Sequence, residues 1–97
     1  MRLPNTLLVF GEKYSLERKP GLQESGHMGL CSPKDKTIHI DAKLQGDEKV
    51  ETMLHELFHA ALYETSANQP LGHDLEEVIV DVLARVVAKN FELKKKK

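Results

Sequence analysis

With 97 residues, 40% of them hydrophobic and 30% charged, the chain can bury one modest core and is too short for two. A formal net charge of −1 excludes the overall basic field that marks nucleic-acid binders, and the run Lys94 to Lys97 reads as a solvated, disordered tail behind a single domain over residues 1–93. Cys31, the sole cysteine, excludes an internal disulfide, and no stretch reaches a secretory h-region or the roughly 20 apolar residues that span a membrane, so a cytoplasmic protein with no membrane partner is expected.

Leu7 to Phe10 is an apolar run closed by Gly11, and Tyr14 to Arg18 follows at hairpin distance before Pro20 and Gly21 stop it. The turn-rich GLQESG leads into a short strand, Met28 to Ser32. Ser-Pro-Lys-Asp-Lys reads as a turn, and Thr37 to Asp41 (TIHID) alternates with period two. Three or four short strands of an antiparallel sheet are predicted.

The spacing then predicts a helix from about Asp47, a suitable N-cap, with Glu48 at the positive end of the helix dipole. Val50, Met53, Leu54, Leu57, Phe58 and Ala61 recur at helical intervals and define its core face. Asn68, Pro70 and Gly72 break the pattern. A second helix is predicted from Asp74, with Glu77 three residues on as a capping box and with Leu75, Val78, Ile79, Val82, Leu83 and Val86 as its core side. The expected fold is α+β, a small antiparallel sheet packed against two helices.

The stretch ETMLHELFHA in the first helix carries the chemistry. His55 and His59 stand one turn apart on the same side, so their imidazoles can converge on one ion. On a helical wheel they fall about 120° and 160° from the centre of the apolar face, flanking it. Glu56 points about 100° away from His55 and can instead take a proton from a water on the metal, which is the physical content of an HExxH motif holding Zn²⁺.

A catalytic zinc site commonly has three protein ligands and one open corner. A third histidine six residues after His59 is excluded, because that position is Thr65. Downstream donors are His73, Asp74, Glu76, Glu77 and Asp81. Glu76 falls among the apolar residues of the second helix, where a carboxylate is costly unless paired or metal-bound, so it is the expected third ligand, with Glu77 and His73 as the alternatives. His73 and Tyr63 are candidate stabilisers of an oxyanion. His27 and Cys31 stand too far apart on an extended strand to share an ion.

The pieces LPNTLLVFGEKYSLE, GHMGLCSPKDKTIHIDAKL, ETMLHELFHA and LEEVIVDVLA resemble the compact gluzincin-type zinc metallopeptidases of the ImmA/IrrE and SprT-like kind, and most closely the short metallopeptidases of phages and prophages. The resemblance implies His55 and His59 as ligands, Glu56 as catalytic base, Glu76 as glutamate ligand, a peptide or protein substrate lying along TIHID as an added strand, and action in the cytoplasm, that of the host if the chain is phage-encoded. It departs at Val80, where such enzymes often carry an acid orienting a ligand histidine. Asp74 or a backbone carbonyl can fill that role, or the ligand is Glu77, whose fourth successor is Asp81. Two other classes are weighed: a non-catalytic module stabilised by zinc, and a nucleic-acid-associated protein acting through its lysine tail.

Overall fold

A computed structural model describes residues 3–91; the lysine run and the predicted domain end at residue 93 lie outside the described residues. Strand β1 (Thr6–Val9) turns into β2 (Glu12–Lys19) through Phe10 and Gly11, both at positive φ, the backbone that a two-residue hairpin loop requires. A single 3-10 turn precedes β3 (Gly29–Ser32), which forms a hairpin with β4 (Thr37–Asp41).

The sheet is mixed, not antiparallel, with order β1-β2-β4-β3. β4 inserts beside β2 and runs parallel to it from Ser15↔Thr37 to Lys19↔Asp41. The reason lies in burial. Ile38 and Ile40 are completely buried, so TIHID takes the centre of the sheet and leaves the edge to β3. An incoming strand therefore cannot pair with TIHID.

Two polar devices fix the connections. The buried Asp41 carboxylate accepts backbone N–H groups from Gln23 (2.9 Å) and Lys43 (2.8 Å), which hold it below the usual carboxylate range. Arg18 donates to the carbonyls of Ala42 (3.1 Å) and Leu44 (2.6 Å), so the end of β2 steers the chain into the first helix.

Helix α1 (Gly46–Glu64) has Gln45 at its N-cap, and Asp47 and Glu48 lie in its first turn rather than at the cap. Val50, Met53, Leu54 and Ala60 join Val9, Tyr14, Leu16, Ile38 and Ile40 in the core, with Leu57, Phe58 and Ala61 packed against them. Thr65 ends α1, its hydroxyl donating to the Ala61 carbonyl at 3.0 Å. The predicted loop contains a single helical turn, α2 (Asn68–Leu71), before α3 (His73–Asn90). Gly72 occupies the N-cap of α3 with its φ at 76°, and the expected Asp74–Glu77 capping box does not form.

Layering departs from expectation. α1 packs on the sheet, whereas α3 packs on α1 and α2. The side of α3 facing inward carries Val80 and Ala84, fully buried, with Val87 and Ala88 beside them. The bulkier side predicted to be core is turned outward: Leu75, Val78, Val82, Leu83 and Val86 are each between 47% and 60% exposed. Small side chains win the contact because they let two helix axes approach closely. No helix among the described residues is long and apolar enough to cross a membrane.

Candidate metal centre

α1 and α3 supply the donors of the site. His55 and His59, four residues apart, bring their Nε2 atoms within 3.3 Å of each other, with ring centroids at 4.9 Å. From α3, Glu77 sets Oε1 3.0 Å from His59 Nε2 and Oε2 3.5 Å from His55 Nε2. Among the described residues, His55, His59 and Glu77 form the group able to hold a metal ion, their ligand atoms all lying within 4.8 Å of one another.

Glu76, the ligand expected from the sequence, is placed differently. Its carboxylate accepts a hydrogen bond from His59 Nδ1, on the side of the ring turned away from the other donors. Asp81 lies behind His55 without a hydrogen bond to it, its Oδ1 4.0 Å from Nδ1, and is itself held by Arg85. Both imidazoles turn Nε2 toward each other, and that of His59 is anchored from behind by a carboxylate. With Val80 and Ala84 turned inward, α3 presents both Glu76 and Glu77 to His59, Glu76 at Nδ1 and the more exposed Glu77 at Nε2.

The electrostatics follow from the partial burial of the site. Burial lowers the His55 pKa, with the neighbouring His59 acting in the same direction and Glu77 and Asp81 opposing, so the ring favours its neutral, metal-binding form. Glu56 is 8% exposed, and burial pushes its carboxyl up to about 7, against the pull of His59 and with a further push from Glu77.

A cleft of about 580 Å³ opens over these groups, bounded by α1, α3 and the edge strand β3. His27, Cys31, Tyr63 and His73 border it together with His55, Glu56, His59, Glu76 and Glu77. His73 is the first residue of α3, not a loop residue. His39 lies away from the cleft, with Nε2 3.3 Å from Glu17 Oε1. Cys31 packs against the core, and burial raises its thiol to about 12.

Sequence reasoning missed Gly29. A Cβ there would stand 2.8 Å from Thr52 Cγ2, 3.1 Å from Glu56 Cγ and 3.1 Å from the His39 carbonyl. The absent side chain lets β3 lie directly against the helix that carries Glu56, and the available signal was a glycine inside a predicted strand.

No family model, curated protein or solved structure matches the chain.

Proposed function

We propose that the chain is a zinc metallopeptidase in which His55, His59 and Glu77 hold the ion and Glu56 is the general base. One observation carries this reading. His59 Nδ1 donates to Glu76, so in the neutral ring Nε2 holds a bare lone pair, and it faces another Nε2 and a carboxylate at 3.3 and 3.0 Å. Acceptors crowded together repel unless a proton or a metal cation lies between them, and a cation would satisfy all three groups at once. Four-coordinate zinc with bonds of about 2.0–2.1 Å spaces neighbouring donors about 3.3 Å apart, which is the separation of the two Nε2 atoms, and the two Glu77 oxygens lie 3.0 Å from one of these nitrogens and 3.5 Å from the other. Two imidazoles and a carboxylate are also a donor set that suits zinc.

Held there, zinc supplies a Lewis acid and makes water acidic near neutral pH. The chain's own residues do the rest. Glu76 fixes the plane and tautomer of the His59 ring, and the Asp81 charge lies 4.0 Å from Nδ1 of His55. Glu56, with a carboxyl near 7, can accept a proton at neutral pH and return it to a leaving amine. Tyr63 and His73 border the cleft as candidate donors to the tetrahedral oxyanion. A peptide or protein substrate suits the open edge of β3, which offers unpaired backbone groups beside the cleft. Action in a reducing cytoplasm accompanies this reading, in line with the single thiol of Cys31.

The test is zinc stoichiometry together with digestion of a peptide library by wild type and Glu56→Gln. Wild type should bind one zinc and cleave in a zinc-dependent way, and Glu56→Gln should bind zinc without cleaving. Zinc binding with no cleavage by wild type would leave a structural metal site and overturn the peptidase reading.

A further inference from the structure

We infer that α3 is also a self-association surface, pairing antiparallel with α3 of a second copy across a two-fold axis. The inference rests on the outer side of the helix and is independent of the metal centre, which lies on its inner side.

Leu75, Val78, Val82, Leu83 and Val86 recur at helical spacing with roughly half of each side chain exposed, and the half-buried Ile79 lies between them. Together they present on the order of 400 Å² of apolar surface per copy, the size at which exposed patches mark contact sites rather than ordinary surface. Doubled across an axis this is about 800 Å², below the roughly 1,200 Å² of stable interfaces and in the range of weak, transient ones.

The centre of the stripe, Val78, Val82 and Val86, is self-complementary. Val82 sits at the middle of the helix, so a dyad through it sets Val82 against Val82 and Val78 against Val86 of the second copy. Charge selects the antiparallel direction. The first turn of α3 carries Asp74 and the last Lys89, on the same flank of the stripe, while Asp81 and Arg85 near the middle pair with each other. Reversing one helix against the other brings Asp74 of one copy to Lys89 of the second and opposes the two helix dipoles, whereas a parallel pair aligns the dipoles and leaves this flank of the two copies on opposite sides.

The experiment is sedimentation velocity on the full chain, with and without zinc, for wild type, Val82→Lys and Lys89→Glu. The contact area predicts a wild-type monomer–dimer equilibrium between roughly 1 and 100 μM, weakened more than tenfold in Val82→Lys and by a smaller factor in Lys89→Glu. Circular dichroism and zinc binding should match wild type in both variants, because neither residue touches the inner side of α3. In a Cys31→Ser background, Val82→Cys should crosslink to itself on oxidation and Leu75→Cys should not. A chain that stays monomeric throughout overturns the inference and assigns the face to another occupant. A dimer that survives Val82→Lys, or one in which Leu75→Cys crosslinks in place of Val82→Cys, overturns the arrangement.

Discussion

Replacing Glu56 by glutamine in the metal-free protein should stabilise it, and the pH dependence of that gain follows from burial. The folded chain holds this carboxyl at about 7, against 4.5 for the free group. Below pH 4.5 the carboxyl is protonated in both folded and unfolded chains, so an isosteric amide changes little. Between 4.5 and 7 the folded chain keeps a proton that the unfolded chain has lost, and stability declines by about 1.4 kcal/mol per pH unit. Above 7 both states are ionised, and the wild type has lost about 3 kcal/mol that Glu56→Gln retains. Urea unfolding followed by circular dichroism, in chelator at pH 4.5, 6 and 8, measures both proteins; their difference removes the contributions of every other titrating group. The expected difference is near zero at pH 4.5 and about 3 kcal/mol at pH 8. Parallel stability curves across that range would refute the reasoning, because they would show that the folded chain does not penalise the ionised Glu56.

Three further outcomes are expected. Zinc affinity measured by chelator competition should fall by roughly 10–100-fold in Glu76→Ala, the loss expected for a partner behind a ligand, and further in Glu77→Ala; the opposite order would make Glu76 the ligand. Gly29→Ala should cost about 1–3 kcal/mol in chemical denaturation, since its Cβ would meet Thr52 and Glu56 at 2.8 and 3.1 Å, and an unchanged midpoint would show that β3 can back away from α1. Tyr14, fully buried, donates to Glu64 Oε2 at 2.5 Å, and Lys36 donates to the same oxygen. Lys36 first, then Tyr14, hold the Glu64 carboxyl below its usual range, so their contribution is present above pH 4.5 and is lost as pH falls through the lower folded value. Tyr14→Phe should cost about 1 kcal/mol at pH 7, and Glu64→Gln should flatten the acid limb of stability; an acid limb identical to wild type would remove Glu64 from the account.

The elements that could be read from the residues are those whose signal is local. Alternation in TIHID, glycine and proline punctuation, and the helical spacing around HELFHA place β4 and α1 within a residue or two, and the two histidines meet because four residues of helix leave them little freedom. Strand order was not local: the pairing of β2 with β4 is decided by which strand buries both isoleucines. The orientation of α3 was hidden for a different reason. Hydrophobic periodicity identifies an apolar side but not which apolar side is chosen, and here valine and alanine at positions 80, 84, 87 and 88 made the contact instead of the larger Leu and Val side chains. That one rotation also decides which nitrogen of His59 each of Glu76 and Glu77 meets. The spacing of small residues was visible in the sequence as a second candidate stripe, and only packing against α1 could choose between the two.

The donors come from two helices, and the outer one rests on the inner one rather than on the sheet. An ion shared by His55, His59 and Glu77 would therefore act as a rivet through the two outer layers while leaving the strands untouched. Stripping it with a chelator should release amide protons of residues 73–90 to exchange long before those of β2 and β4, so loss of the ion and detachment of the last helix become a single event.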